Sequence, residues 1–276
     1  MSKDYLPQFY IMLEKQVGIA LDDTKQYLLE SRLLPLATKN GYLDVYAFIK
    51  YLTQNAIGPI HWQAFEALTT NETFFFRDKH VFEALKNTIF PELIQARKNE
   101  KTLRIWSSAC SAGQEVYSLA MMLKEDFSQL HDWTIQLQAT DISEAILKKA
   151  QSGIYSSMEA HRGLDAHYLR KYFSHLEDGT YQISPAIRQM VNFSHHNLVA
   201  SWPYYPKFDL IMLRNVLIYF KQDAKDKVLS KIQKQLNGDN SILILGAAES
   251  IYLNDLYKLV QLDKISYYKP NILAKV

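Results

Sequence analysis

Short apolar segments that alternate with helical patterns from residue 102 onward constrain the fold of this chain most. Strands are predicted at 103–109, 134–140, 191–194, 208–213 and 241–246. Helices are predicted between them at 114–126, 143–151 and 223–236. Strands that alternate with helices are typical of a parallel sheet with both faces covered, so a doubly wound α/β domain is predicted.

The first seventy residues show helical spacing only. Leu6, Phe9 and Leu13 recur at the period of an amphipathic helix, Asp44 can cap a later helix, and Pro59 suits a first helical turn. We therefore predict an N-terminal helical domain at 1–70, a linker with a first helix at 71–101, and a catalytic domain at 102–276.

Two hairpins are predicted within the α/β domain. Residues 177–179, Glu-Asp-Gly, form a turn signal between two short aromatic runs, which predicts a small inserted β hairpin at about 161–185. Residues 258–262 and 265–269 are predicted to pair antiparallel at one sheet edge.

The bulk composition excludes several classes of protein. Hydrophobic residues make up 48% and charged residues 22% of the 276, and the net charge is +2. This balance argues against non-specific nucleic-acid binding, and no apolar run is long enough to insert in a membrane. With the single cysteine Cys110, the composition favours a cytoplasmic protein, and we expect a monomer.

The segment 104–117, RIWSSACSAGQEVY, predicts a ligand-binding turn. A strand leads into small residues and then into a helix, which brings backbone N–H groups close to a ligand at the carboxyl end of the first strand. The alternative is a tight turn with no ligand.

Asp141 directly follows the second predicted strand. A carboxylate at that position commonly accepts hydrogen bonds from a ribose diol, whereas the alternative is a cap for the next helix. Because the chain has neither a GxGxxG pattern nor a GKS or GKT motif, a diphosphate ligand is disfavoured. S-adenosylmethionine is then the natural candidate.

Four segments together carry a family resemblance. They are NETFFFRD at 71–78, WSSACSAGQEVYS at 106–118, ATDIS at 139–143 and LRNVLIYF at 213–220. In order and spacing they resemble the CheR-type chemoreceptor glutamate O-methyltransferases, over nearly the whole chain.

The resemblance implies a helical domain followed by a methyltransferase domain, with the cofactor between them. It assigns the S-adenosylmethionine contacts to nine residues: Asn71, Thr73, Arg77, Glu115, Asp141, Asn197, Leu198, Arg214 and Asn215.

Alternatives to these assignments remain open. Arg77 could instead pair with Asp78 or Glu83 at the surface, and Glu115 could be a first-turn charge favoured by the helix dipole. The phenylalanines at 74–76 are expected in the core. The sequence departs from the family pattern at Ala109, Ala112, Gln114 and Val116, and at 246–249, where Gly-Ala-Ala-Glu replaces a Gly-His-Ser-Glu type segment.

The implied reaction is methyl transfer to a glutamate carboxylate. A glutamate with a pKa of about 4.3 is ionised at neutral pH and needs no general base. Arg77 and Tyr219 are the candidate catalytic residues that hold this carboxylate, although Tyr219 could equally be a packed aromatic. No metal is expected, because consecutive strand residues such as His195 and His196 point to opposite faces.

The expected partner is the cytoplasmic domain of a chemoreceptor. Lys25, Arg32 and Lys39 are candidates for a basic docking face, and the short inserted hairpin predicts weak or no binding of a receptor tail peptide. Two other functions stay open: a cofactor-binding regulatory module without turnover, and a methyltransferase for a different substrate.

Overall fold

The computed structural model describes residues 5–252 and 255–271, which form two compact units. The first unit comprises the chain up to Thr70 together with Asn197–Trp202 and Tyr219–Val228, and the second comprises the rest. The sequence analysis assigned both later segments to the catalytic domain.

Contacts with the first helix explain why these segments join the first unit. The Asn197 amide donates to the carbonyl of Gln16 at 2.7 Å, and the Ala20 N–H donates to the carbonyl of Tyr219 at 2.8 Å. Gly18, in the left-handed region at φ 80°, leaves no room for a Cβ, which would lie 2.9 Å from a carbon of Phe220. Such long-range contacts leave no local pattern in the sequence.

The first unit contains the predicted helical bundle. Its helices are α1 (Leu6–Val17), a 3₁₀ turn (Asp23–Lys25), α2 (Gln26–Lys39), α3 (Val45–Gln54) and α4 (Pro59–Leu68). The Asp44 carboxylate caps α3 as predicted, because it accepts the N–H groups of Tyr46 and Ala47 at 2.8 and 2.9 Å.

Arg32 is less available than the sequence analysis expected. Its guanidinium donates to the carbonyls of Leu68 and Thr69, both at 2.9 Å, and to the Thr70 hydroxyl at 3.1 Å. These bonds satisfy carbonyls at the end of α4. Arg32 therefore ties two helices of the bundle together. Among the described residues, the side chains of Lys25 and Lys39 make no hydrogen bond or ion pair.

The second unit begins with a broken helical segment. It consists of α5 (Lys79–Ala84), one π-helical turn (Leu85–Ile89) and α6 (Phe90–Ala96). Just before it, Phe75 is fully buried, which confirms the core prediction for that ring, whereas Phe74 and Phe76 are half-buried.

A seven-stranded sheet forms the centre of the second unit. Its strands are β1 (Thr102–Ser108), β2 (Thr134–Asp141), β6 (Val191–His195), β7 (Leu210–Leu213), β8 (Ile242–Leu245), β9 (Tyr257–Leu262) and β10 (Ile265–Pro270). Their order is β6-β2-β1-β7-β8-β10-β9. The first five are parallel and β10 runs antiparallel to both neighbours, so the doubly wound sheet and the antiparallel pair at its edge are confirmed.

The helices that connect these strands begin at the predicted residue or one residue away from it. The long ones are α7 (Gln114–Asp126), α8 (Glu144–Ser152) and α12 (Gln222–Gln235). The strand order reverses at β1, which lies between β2 and β7. In open α/β sheets, ligands bind outside the carboxyl ends of the strands at such a switch point.

The inserted region is larger than a hairpin. It holds β3 (Ile154–Tyr155), α9 (Ser157–His161), α10 (Ala166–Tyr172), β4 (Phe173–His175), β5 (Tyr181–Ile183) and the short α11 (Pro185–Arg188). The predicted hairpin is β4 with β5, and β3 adds a third antiparallel strand. The Tyr155 hydroxyl donates to the carbonyl of Ala112 at 2.7 Å, which joins this sheet to the turn after β1.

Candidate functional site

The turn between β1 and α7 is built from small residues in unusual backbone conformations. Ala109, Ser111 and Gly113 have φ values of 58°, 51° and 89°. Left-handed backbone costs a non-glycine residue about 1–2 kcal/mol, so the turn must be held by its surroundings. One such support is the Cys110 N–H, which donates to the carbonyl of Thr140 at 2.9 Å. The predicted small-residue turn is therefore present at the carboxyl end of β1.

Asp141 ends β2 beside this turn and is only 6% exposed. Its carboxylate accepts the backbone N–H groups of Ser111 at 2.8 Å and Ser143 at 3.0 Å. The N-cap of α8 is Ser143, whose hydroxyl accepts the Ile146 N–H, so Asp141 is not the N-cap of this helix. Burial raises the pKa of Asp141, while these N–H groups oppose the shift. Carboxylate lone pairs remain for further donors.

Arg214 lies at the centre of a buried charge network. Its Nη1 donates to Oε2 of Glu115 at 2.8 Å, while the other oxygen of Glu115 accepts the Ser107 hydroxyl at 2.8 Å. Its Nη2 donates to the Asp78 carboxylate and to the Arg77 carbonyl. The Arg214 side chain is 2% exposed. One cation thus compensates two carboxylates that come from distant parts of the chain.

The segment before α5 is tied to the turn and to α7. The Ser111 hydroxyl donates to the carbonyl of Asn71 at 2.9 Å, and the Phe76 N–H donates to the Ser118 hydroxyl at 3.0 Å. Thr73 between them is half-buried. The predicted cofactor residue Asn71 is therefore next to the small-residue turn, and Thr73 lies on the segment between these two hydrogen bonds.

Arg77 does not form either of the surface ion pairs considered as alternatives. Its guanidinium donates to the carbonyl of Glu72 at 2.9 Å, and the half-buried side chain lies over the Phe74 ring at 5.7 Å. The carboxylate of Asp78 pairs with Arg214 instead. Within residues 5–252 and 255–271 the guanidinium makes no other hydrogen bond, so most of its five N–H donors are available to a ligand.

Three polar side-chain atoms near the carboxyl ends of β1 and β7 are buried without a hydrogen-bond partner among residues 5–252 and 255–271. They are Ser108 Oγ, Gln114 Oε1 and Arg214 Nε. They belong to the end of β1, the start of α7 and the residue after β7. Buried polar atoms ordinarily have partners. A carboxylate, a small-residue turn and these atoms fit the ribose and the amino-acid portion of an adenosyl ligand.

Two family models match the chain. One is described as CheR methyltransferase, SAM binding domain, and matches residues 71–266. The other is described as CheR methyltransferase, all-alpha domain, and matches residues 6–69. The chain belongs to the CheR methyltransferase family. The boundary between the two models coincides with the break between Thr70 and Asn71 that separates the compact units.

Curated relatives of this CheR-family chain match it over nearly their whole length. The chemotaxis protein methyltransferase Cher2 of Pseudomonas putida is 39% identical over 258 residues, 92% of this chain and 93% of the relative. Chemotaxis protein methyltransferase 1 of Pseudomonas aeruginosa is 40% identical over the same shares. Chemotaxis protein methyltransferase 1 of Vibrio cholerae is 37% identical over 95% of this chain and 94% of the relative.

Three predicted site residues belong to the first unit of this CheR-family chain. Asn197 uses its amide to hold the end of α1, and its Oδ1 accepts the Val199 N–H at 3.1 Å. Leu198 is 7% exposed, and Tyr219 is half-buried. Their roles toward a cofactor or an acceptor remain predictions.

The sequence analysis missed Glu249 as a site residue. Its carboxylate accepts backbone N–H groups that follow two neighbouring strands, from Asn215 after β7 at 2.8 Å and from Gly246 after β8 at 2.7 Å. The sequence did indicate this residue, because Glu249 matches the acid of the family's Gly-His-Ser-Glu type segment although the two residues before it differ.

Within 5–252 and 255–271, no group of three His, Cys, Asp or Glu side chains is arranged to hold a metal ion. Over the same residues, none of the helices has the length and apolar character needed to cross a membrane.

Proposed function

We propose that this chain transfers the methyl group of S-adenosylmethionine to glutamate side-chain carboxylates of methyl-accepting chemotaxis receptors, forming glutamyl methyl esters. The observation that carries the proposal is the match to chemotaxis protein methyltransferases over 92% of the chain, together with a site of matching chemistry at the carboxyl edge of the sheet. The acceptor is the cytoplasmic domain of a receptor, so a cytoplasmic location is part of the same proposal.

The cofactor contacts are assigned within this proposal. Asp141 accepts the ribose hydroxyls, since its buried carboxylate has lone pairs left beside two backbone donors. Glu115 and Arg214 frame the amino-acid portion of the cofactor, and Asn215 closes that end. The remaining contacts are assigned to Asn71, Thr73, Arg77, Asn197 and Leu198.

S-adenosylmethionine supplies an activated methyl group on a sulfonium centre. The acceptor carboxylate is already ionised at neutral pH, because its pKa is about 4.3 in water. The protein therefore contributes placement: it holds the nucleophile, the methyl carbon and the sulfur in line and excludes bulk water. Arg77 and Tyr219 are proposed to orient the acceptor carboxylate through hydrogen bonds.

Orientation by Arg77 is supported by the donors that this residue has left. One guanidinium nitrogen donates to the Glu72 carbonyl, which fixes the side chain. The guanidinium has five N–H donors, so the others can bind an acceptor carboxylate. A carboxylate held by such a fork keeps its charge and gains a fixed direction. Arg77→Lys should therefore lower kcat more than it changes cofactor affinity.

Recognition of the receptor is a separate part of the proposal. Lys25 and Lys39 remain as candidates to face the acidic acceptor helix, whereas Arg32 serves the bundle. The three-stranded inserted sheet has strands of two or three residues only. Weak or absent docking of a receptor tail peptide stays our prediction, as does a monomeric state.

A labelling experiment tests the proposal. The purified chain is incubated with methyl-tritiated S-adenosylmethionine and a receptor cytoplasmic fragment, and the label released by base is counted. Base-labile label on the receptor supports the proposal, and Asp141→Asn should reduce it. Cofactor binding without receptor label would instead support the regulatory module, and label on a different molecule would support another acceptor.

A further inference from the structure

The turn at 246–249, after β8, contacts the segment after the neighbouring strand β7. One carboxylate, that of Glu249, accepts three backbone N–H groups. Its Oε2 accepts those of Gly246 at 2.7 Å and Asn215 at 2.8 Å, and its Oε1 accepts that of Ile218 at 3.2 Å. The side chain therefore links the carboxyl ends of two parallel strands and the start of the next turn.

The segment that Glu249 holds has an unusual backbone. Asn215 lies in the left-handed region at φ 59°, which asparagine tolerates better than most residues but which still needs support. A carboxylate that accepts the Asn215 N–H provides that support, because hydrogen bonds to charged acceptors are stronger than neutral ones.

Gly246 confines the side chain of the same asparagine. A Cβ at Gly246 would lie 2.7 Å from Nδ2 of Asn215 and 2.7 Å from the Glu249 carboxylate. The same Cβ would lie 2.8 Å from the Asn215 backbone nitrogen, so a side chain at position 246 would force the backbone itself to shift. From the β8 side, Glu249 thus holds the Asn215 backbone, and Gly246 leaves room for the Asn215 amide.

The residue before Asn215 is fixed from the opposite side. Arg214 is held by Glu115 at 2.8 Å and by the carbonyl of Arg77 at 3.2 Å. The proposed cofactor pair Arg214-Asn215 is therefore held through its side chain by α7 and through its backbone by Glu249.

We infer that Glu249 is a positioning residue for methyl transfer, which acts by holding Asn215 in the conformation that meets the cofactor. The inference rests on the proposed function and adds a residue to it. Glu249 acts through Asn215 and is given no contact with the reacting atoms.

Binding of S-adenosylhomocysteine, measured by calorimetry, tests this role beside kcat and KM. Glu249→Ala removes all three acceptor bonds and should weaken binding about tenfold or more. Glu249→Gln keeps one carbonyl oxygen, which can still accept the Asn215 and Gly246 N–H groups, so its loss should be smaller. Ser250→Ala changes the exposed residue directly after this turn, and its affinity should stay within about twofold of wild type.

All variants are measured well below their thermal midpoints, with folding checked by circular dichroism. A graded loss of affinity from wild type to Gln to Ala supports the inference. Folded Gln and Ala variants with affinity, KM and kcat within about twofold of wild type overturn it, even if their midpoints fall. If Glu249→Ala does not fold, the Gln variant alone decides by the same criterion. If wild type binds no adenosylhomocysteine and labels no receptor, the proposed function itself fails, which separates the two results.

Discussion

Arg214 and Glu115 form a buried ion pair that joins the residue after β7 to the first turn of α7. The Arg214 Nη1 lies 2.8 Å from Oε2 of Glu115, and their side chains are 2% and 14% exposed. Arg214 also pairs with Asp78, whose side chain is 29% exposed. Three parts of the chain that are far apart in sequence therefore meet at one guanidinium.

Arg214→Met should strongly destabilise the protein, because it leaves two carboxylates near each other without a counter-charge. Removal of one partner from a buried pair typically costs about 3–5 kcal/mol. Urea denaturation of Arg214→Met, Glu115→Gln and the double variant measures the coupling, which we expect to be about 1–3 kcal/mol. Strictly additive losses would mean that the pair contributes no coupling.

The matched control for this double-mutant cycle is an exposed ion pair in the same compact unit. Lys79 and Asp165 lie 3.5 Å apart, and their side chains are 66% and 70% exposed. Surface pairs contribute little, so Lys79→Met should leave the free energy of unfolding within about 0.5 kcal/mol of wild type.

The sequence predicts elements well where the pattern is local. The helix that begins at Gln114 ends at Asp126 as predicted, and the terminal antiparallel pair lies at the sheet edge. Apolar periodicity and small-residue turns act within one element, so a single sequence contains them. The motifs likewise place Asn71, the small-residue turn and Asp141 together.

Long-range contacts are what the sequence does not contain. Glu249 lies 34 residues from Asn215, and Arg214 lies 136 residues from Asp78, so no spacing rule connects them. The strand β3 has two residues, too few to show alternation. The same limit explains why the segment 197–202 was not assigned to the first unit.

The free energy of unfolding of Asp141→Asn should increase relative to that of wild type as the pH rises. Burial raises the pKa of this carboxyl in the folded state. Its contribution to stability is therefore complete below the unfolded pKa of about 3.9 and is lost as the pH rises through the folded pKa. Wild type loses this contribution to the free energy of unfolding, whereas the variant has no carboxyl at position 141 and does not. Urea denaturation at pH 4.5 and pH 7 measures the difference, and a difference that shrinks toward pH 7 would contradict the prediction.

His196 should destabilise the fold in mild acid. Burial lowers the pKa of His196 to about 4, and its ring is packed at 5.6 Å from the Trp106 ring. Because the folded pKa is depressed, the contribution is present above the unfolded pKa of about 6.5 and is lost as the pH falls toward 4.

Replacement of the histidine tests this linkage. His196→Phe should flatten the fall in the free energy of unfolding between pH 6.5 and 4, by at most about 3 kcal/mol. The exposed His131 is the control, and His131→Gln should keep the wild-type slope. An unchanged slope in His196→Phe would assign the acid sensitivity to other groups.

Asp209 should affect stability without affecting cofactor binding. It precedes β7, at the amino edge of the sheet, and its side chain is fully buried. Its carboxylate accepts Arg97 Nε at 2.7 Å, the Asn237 amide at 3.0 Å and the Arg104 N–H at 2.8 Å. Asp209→Ala leaves the Arg97 guanidinium and the Arg104 N–H without this acceptor, so we expect a loss of about 3–5 kcal/mol.

The position of Asp209 in the sheet predicts that Asp209→Ala leaves cofactor affinity unchanged. The proposed cofactor residues follow the carboxyl ends of the strands, whereas Asp209 lies at the opposite ends, so the folded fraction should bind adenosylhomocysteine with wild-type affinity. Asp239→Ala, at an exposed acid two residues after Asn237, should leave both the unfolding free energy and the affinity unchanged. A folded Asp209→Ala protein with tenfold weaker binding would show that the two edges are coupled through the strands, because each parallel strand connects one edge directly to the other.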